Sequence, residues 1–252
     1  MPKPSVIPES LAHALQSARA VVALTGAGVS AESGIPTFRD AMEGLWAEFD
    51  PHELASPEGF ARDPGMVTRW YDWRREKCGA AKPNPAHRAL ARIEKYFATQ
   101  RRAFTLLTQN VDRLHHAAGS RNVVELHGTI WVWRCTQCGM EREERDVPFK
   151  EYPPRCACGG ARRPAVVWFG EMLPHDAMQK AHDALDGCDL FLSIGTSAVV
   201  EPAASFVYTA RSRGAKTVEI NRDPTPITRV VDWSLLGKAG EILPELVRQV
   251  AE

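Results

Sequence analysis

The chain has 252 residues, 44% hydrophobic and 25% charged, with 31 basic side chains balanced by 31 acidic ones. This composition supports a full core and one large domain carrying a smaller insert. The balanced charge, with no long run of one sign, argues against the positive field that non-specific nucleic-acid binding needs. Apolar runs such as Leu190 to Ile194 are far too short to span a bilayer, and Met1 to Ala20 lacks the apolar stretch of a secretory leader. A cytoplasmic protein with no membrane or specific nucleic-acid partner is expected.

In chain order, Ser10 to Arg19 reads as a helix leading into Val21 to Leu24, an apolar run suited to a buried parallel strand. Gly26-Ala27-Gly28-Val29-Ser30-Ala31 follows and satisfies G-x-G-x-x-A, so bare amides and a helix N-terminus could cradle a pyrophosphate. A tight strand-to-helix turn with no ligand fits the same residues. An ordinary dinucleotide fold would next run to a second strand ending in an acidic residue roughly 20 positions on. Here Ile35-Pro36 starts a loop instead, so a nucleotide would not be held in the usual dehydrogenase way.

Met42 to Pro85 breaks the pattern and is rich in Trp, Arg and Pro. Within it, Pro64 to Lys77 reads as a helix that places Tyr71 and Arg74 at i and i+3 on one face. A helix over Ala86 to Tyr96, strands over Ala103 to Thr108 and Val123 to Leu126, and a second interruption over Trp131 to Pro164 come next. Strands over Leu190 to Ile194 and Thr217 to Ile220 flank a helix over Pro202 to Arg213. Alternating strands and helices imply an α/β fold with a doubly wound parallel sheet. The expected division is residues 1–41, 86–130 and 165–252 for the nucleotide-binding domain, 42–85 for a helical insert and 131–164 for a metal module.

Cys135-Thr136-Gln137-Cys138 and Cys156-Ala157-Cys158 offer four thiolates, enough for one closed, structural, tetrahedral zinc. Four unligated thiols are the alternative, and a nucleic-acid-binding ribbon is opposed by Glu141, Glu143, Glu144, Asp146 and Glu151. Cys78 and Cys188 stand apart and carry no readable signal. His127 follows the Val123 to Leu126 strand, at the carboxyl end where open α/β sheets place ligands. It suits a catalytic base or a structural histidine, and the four cysteines leave it no need to bind metal.

GAGVSAESGIPTFRD, from Gly26 to Asp40, and TQNVDRLHHAAG, from Thr108 to Gly119, resemble the two signatures of the sirtuin family, and ELHG, VVWFGE and GTS follow in the family's order. The resemblance implies a Rossmann-type domain with a smaller zinc-bearing domain, and NAD consumed as co-substrate. It implies a deacylase in which the acyl-lysine oxygen attacks the nicotinamide ribose, nicotinamide leaves, and His127 acts as general base for transfer of the acyl group to the sugar. By the same carry-over, Asn110 and Asp112 would hold the carboxamide and Gln109 the ribose. Gly26, Ala27, Gly28, Ser30 and Arg39 would line the NAD ribose and phosphates, with Gly195, Thr196 and Ser197 on the phosphate side and Asn221 and Ala239 near the adenosine. Val167, Phe169, Gly170 and Glu171 would pair with an extended acylated peptide by strand addition. Ala165, where many relatives have His, is a departure with no consequence attached.

The Tyr71 and Arg74 pattern resembles the desuccinylase and demalonylase branch, in which Ala55 matches a small residue that leaves room for a longer acyl chain. A guanidinium fork beside a phenol suits a carboxylate, whereas a solvated Arg beside the Trp70 and Trp73 stripe is the plainer reading. The expectation is a monomeric deacylase acting on succinyl, malonyl and also acetyl lysine. A plain deacetylase, a protein ADP-ribosyltransferase and a non-catalytic NAD sensor are the alternatives.

Overall fold

The computed structural model of the chain describes residues 7–37 and 50–251. In chain order, α1 (Glu9–Ser17) leads to β1 (Ala20–Thr25) and the short α2 (Ala27–Ala31). Next come α3 (Pro51–Leu54), α4 (Pro57–Arg62), α5 (Pro64–Ala80), α6 (Pro85–Thr99), β2 (Ala103–Thr108), α7 (Leu114–Ala117) and β3 (Val123–Glu125). β4 (Gly128–Cys135), β5 (Glu141–Glu143) and β6 (Arg162–Val166) precede α8 (His175–Asp186) and β7 (Leu190–Ile194). α9 (Phe206–Ser212), β8 (Lys216–Asn221), β9 (Trp233–Leu236) and α10 (Ala239–Ala251) complete the chain. These form two compact units, Met1–Ser33 with Lys82–Leu126 and His175–Glu252, and Gly34–Ala81 with His127–Pro174.

The first unit is built on a parallel sheet in the order β3-β2-β1-β7-β8-β9. Helices on both faces explain why β7 is buried at every position and β1 at all but its first. The strand order turns back between β1 and β7, the switch point outside whose carboxyl ends such sheets hold ligands. One face is sealed by Leu11, Leu15, Leu90, Ile93, Phe97, Leu243 and Leu246 from α1, α6 and α10. Each side chain of this kind adds roughly 1.5–3 kcal/mol on leaving water.

The helix expected from Pro202 begins as a 3-10 turn at Ala203–Ser205, and α9 follows from Phe206. β9 has no counterpart among the strands expected from the sequence. It is a four-residue edge strand with one buried side chain, Leu235, and Ser234 is turned to the carboxylate of Glu219 at 2.8 Å, so no apolar run marks it.

α6 starts in a capping box: the Asn84 side chain accepts from the N–H of Ala86 (2.9 Å) and His87 (3.4 Å), and His87 Nδ1 accepts from the Asn84 N–H (3.3 Å). The His87 ring is fully buried, 4.7 Å from that of His115, and burial lowers its pKa to about 4. Since the unfolded histidine titrates near 6.5, the unfolded chain holds the extra proton between pH 6.5 and 4. Stability therefore rises with pH across that window, and acidification through it costs up to about 3 kcal/mol. His87→Gln keeps a capping group and cannot titrate. The urea midpoint of this variant is expected to fall less than that of the wild type between pH 6.5 and 4, and equal falls would contradict the assignment.

The second unit holds helices α3 to α5 and an antiparallel sheet in the order β5-β4-β6. α5 is started by Asp63, whose side chain accepts from the Met66 N–H at 2.8 Å, and by Pro64 in its first turn. β6 lies at the sheet edge, and its alternation runs past its end, with Arg162, Pro164, Val166 and Trp168 buried and Arg163, Ala165, Val167 and Phe169 turned outward. Among the described residues, no helix is long and apolar enough to cross a membrane.

Candidate functional site

In the first unit, the candidate residues converge at the carboxyl ends of β1, β2 and β7. The Gly26 N–H donates to the Ile194 carbonyl (3.1 Å) and the Gly28 N–H to that of Gly195 (2.8 Å). The amides that sequence reading left bare are therefore bonded. A Cβ on Gly26 or Gly28 would stand 2.8 Å from the Gly195 oxygen, so this approach requires glycine.

Beneath the turn, the Thr25 hydroxyl donates to Thr108 Oγ1 (2.8 Å), which also accepts from the Asn110 N–H (3.1 Å). His115 Nε2 is 3.0 Å from the Thr25 oxygen. Burial holds the His115 pKa well below its ordinary range, so the ring is neutral. With the Thr25 proton committed to Thr108, the His115 proton belongs on Nε2.

Asn110 Nδ2 donates to the Gly26 carbonyl and to Ser30 Oγ, both at 3.0 Å. Ser30 in turn donates to Asp112 Oδ2 at 2.6 Å, and Asp112 Oδ1 takes the Leu114 N–H at the start of α7 (2.8 Å). Ser30, Asn110 and Asp112 are all buried, so this network fixes the orientation of the Asn110 amide and the Asp112 carboxylate. Gln109 Nε2 joins β2 to the β7 loop through Thr196 Oγ1 (3.1 Å), while Ser197 is exposed. Ala27 is the first residue of α2. Asn221 ends β8, with Nδ2 bonded to the Asp223 carbonyl (3.0 Å), and Ala239 opens α10, so neither belongs to this network. Arg39 lies outside the described residues.

In the second unit, the sulfurs of Cys135, Cys138, Cys156 and Cys158 all lie within 4.8 Å of one another, with Cys135 to Cys158 at 3.5 Å and Cys138 to Cys156 at 3.7 Å. A tetrahedral zinc with ~2.3 Å bonds sets its sulfurs ~3.8 Å apart, so the residues fit the ion. The C-x-C pair is accommodated by a tight turn in which the Gly159 N–H donates to the Cys156 carbonyl (2.9 Å) and the Cys156 N–H to that of Gly160 (2.8 Å). Amides of Cys138 and Gln137 lower the Cys135 thiol to about 6. Against the pull of the Met140 amide, hydrogen bonding to Cys158 and Cys135 raises that of Cys138 to about 11, so the cluster shares its protons unevenly and it is the sulfur geometry that fits the ion.

His127 sits between β3 and β4, half-buried, with its carbonyl accepting from the Val167 N–H (3.0 Å). Gly128 has φ 71°, and a Cβ there would come 2.1 Å from the Ala165 oxygen, so the glycine that follows His127 is imposed by the close approach of β6.

Tyr71 is buried on α5, and Trp168 Nε1 donates to its hydroxyl at 2.9 Å, leaving the phenol proton to be donated. Burial, the largest influence, pushes the phenol up to about 12 against the pull of Arg74, so it stays neutral. The Arg74 guanidinium lies 4.9 Å from the Trp70 ring centre and 5.7 Å from that of Tyr71. Ala55 is buried and its carbonyl accepts from the Phe169 N–H (2.9 Å). Phe169 is exposed and its ring packs 4.7 Å from His52, with Gly170 next to it at φ 84°. Glu171 takes both Nη atoms of Arg163 (2.6 and 2.8 Å) and the Trp168 N–H (2.9 Å). Burial alone would raise its pKa, but Arg163 holds it below the ordinary value.

Sequence reasoning missed Trp168, the side chain that orients Tyr71. Its signal was the buried phase of the β6 alternation, continued two residues past Val166.

The sheet order, the polar network at its switch point and the four-cysteine cluster define a class, a Rossmann-type α/β protein carrying a structural zinc module. The Sir2 family model matches residues 26–202, and the chain belongs to the Sir2 family. It is 50% identical over 243 residues to NAD-dependent protein deacylase 1 of Archaeoglobus fulgidus, covering 96% of this chain and 97% of that protein. The structure is similar to that of a Sir2 homolog in complex with NAD, with TM-score 0.92, 49% identity and coverage of 98% and 95% of the two chains. It also matches Sir2 in complex with an inhibitor, 2'-O-acetyl-ADP-ribose and a deacetylated p53 peptide, with TM-score 0.83, 31% identity and coverage of 96% and 98%.

Proposed function

We propose that this chain is an NAD-dependent protein-lysine deacylase that acts on succinyl and malonyl lysine in preference to acetyl lysine. The Sir2 relatives named NAD-dependent protein deacylases, matched along nearly the full chain, support the deacylase part. The single observation that carries the acyl preference is Tyr71, oriented by Trp168 so that its proton points away from the indole, beside the Arg74 guanidinium. A neutral phenol donor and a cationic fork form a receptor for a carboxylate.

In this reading the acyl-lysine carbonyl oxygen attacks the anomeric carbon of the nicotinamide ribose and the bond to nicotinamide breaks. Asn110 and Asp112 hold the carboxamide during that step, and their buried network removes the cost of orienting them. His127 then takes a proton from a ribose hydroxyl, whose oxygen adds to the imidate carbon. Expulsion of the free lysine, protonated as it leaves, gives a cyclic acyloxonium bridging two ribose oxygens, and addition of a water molecule to its central carbon opens it to O-acyl-ADP-ribose. Gly26, Ala27, Gly28, Ser30 and Gln109, with the 195–197 loop, line the ribose and phosphates, and Asn221 and Ala239 the adenosine. The outer edge of β6, continued through Val167, Phe169, Gly170 and Glu171, receives the peptide as an added strand. The zinc is structural. We further place the enzyme in the cytoplasm as a monomer.

A plain deacetylase is the second reading, favoured by the closer approach of Arg74 to the Trp70 ring. Arg74→Met separates them. Loss of a charge-assisted hydrogen bond of about 1.5–3 kcal/mol predicts a 10- to 150-fold lower kcat/KM on a succinyl-lysine peptide. Turnover of the matched acetyl peptide should stay within about threefold, because a neutral methyl makes no such bond. Equal losses on both peptides would make Arg74 a packing residue.

A further inference from the structure

The helix that carries Tyr71 and Arg74 carries a second pair one position further on, Asp72 and Arg75, at the same i and i+3 spacing. An α-helix turns about 100° per residue, so this pair occupies the neighbouring face of α5. Both side chains are charged and both are buried, with 3% and 0% exposure.

Arg75 Nη1 donates to Asp72 Oδ1 at 2.8 Å, and Nη2 donates to the backbone carbonyls of Glu144 (2.6 Å) and Asp146 (2.9 Å). The guanidinium lies 4.3 Å from the centre of the Phe149 ring. Asp72 Oδ2 accepts from the Phe149 N–H (2.8 Å) and from the Tyr152 hydroxyl (2.6 Å). Four of these five bonds therefore join α5 to residues 144–152, the segment between the two cysteine pairs. That segment is itself fastened to β6, where Arg162 Nη1 donates to the Glu144 carboxylate at 2.5 Å.

A buried ion pair adds little net stability compared with apolar packing of the same volume, because desolvation offsets the attraction. Its directional bonds do fix geometry. We propose that Asp72 and Arg75 form a positioning latch that holds α5 in the rotation and register at which Tyr71 and Arg74 meet an acyl carboxylate. The pair thereby sets acyl selectivity without touching the acyl group. This rests on the acidic-acyl reading of Tyr71 and Arg74, which it deepens. A carboxylate fork tolerates little rotation, since a displacement of about 1 Å can cost on the order of 100-fold in rate. A small neutral acyl group has no such directional demand.

The test uses zinc-loaded protein with Asp72→Asn and the milder Tyr152→Phe, which removes one bond from the segment side. KM for a succinyl-lysine peptide is expected to rise about tenfold in the first variant and about threefold in the second, with kcat and acetyl-lysine KM within about twofold of wild type. Equal changes on both peptides, or no change on either, would overturn the latch. Amide hydrogen exchange over residues 64–80 gives a readout independent of acyl chemistry. Faster exchange in Asp72→Asn, with zinc content unchanged, is the expected result, and wild-type protection would overturn the latch. If the wild-type enzyme shows no succinyl preference, the acyl reading fails by itself, and the exchange measurement still decides the latch.

Discussion

Replacing His127 by tyrosine is expected to lower steady-state kcat/KM on every acyl peptide by about 100- to 10,000-fold, the range typical of a lost general base. The variant should fold, because the strand contact at this position is made by the backbone, whose carbonyl accepts from the Val167 N–H whatever the side chain. In the proposed sequence His127 acts only after nicotinamide has left. A single turnover with NAD and acyl peptide should therefore still release nicotinamide while free lysine fails to form. Rapid quench of both products checks this directly. Deacylation within tenfold of wild type would remove His127 from the base role, and loss of the nicotinamide burst would place its action earlier.

Removing the zinc is expected to have the second largest effect. The sheet it would anchor is small: β5 has no buried residue and pairs with β4 over three positions, so apolar burial alone holds this hairpin weakly. Structural zinc supplies an apparent ~10–16 kcal/mol in small peptide sites, folding energy that four demetallated cysteines within 4.8 Å of one another would lose. Cys135→Ser, or exhaustive chelation, should lower the melting temperature by at least about 10 °C, the shift produced by only a few kcal/mol in a chain of this size. Turnover of acetyl and succinyl peptides should fall together, because the sheet that zinc anchors includes β4, which directly follows His127, and β6, the proposed peptide edge, and both peptides depend on these. A chelated protein with less than about a tenth of an equivalent of zinc and an unshifted transition would show that the site does not hold the unit together.

The parts of the fold written as continuous apolar runs were legible. β2 and β7 coincide with the expected Ala103 to Thr108 and Leu190 to Ile194, because strands covered on both faces need no polar alternation. β9 was not legible, since an edge strand with one buried side chain leaves no such run. The cysteine spacing pointed to the cluster because a four-ligand site is a local demand on one short segment. The bonding of the Gly26 and Gly28 amides depends on β7, more than 160 residues on, and nothing in the turn itself records it. Asp72 and Arg75 were opaque for the same reason. Charged residues on a helix ordinarily read as a solvated face, and the carbonyls, amide and hydroxyl that bury this pair come from about 70 to 80 positions further along. Trp168 lies between the two cases: its burial follows from strand alternation, but its bond to Tyr71 does not.

The most direct test of the acyl assignment is NAD-dependent turnover of matched succinyl-lysine, malonyl-lysine and acetyl-lysine peptides by the purified wild-type protein, followed as nicotinamide release and free lysine together. Succinyl and malonyl kcat/KM at least about tenfold above acetyl is the result that a Tyr71 and Arg74 carboxylate receptor predicts. Acetyl turnover equal to or above the acidic acyl groups would contradict it and leave a Sir2 deacylase in which Arg74 only stacks on Trp70.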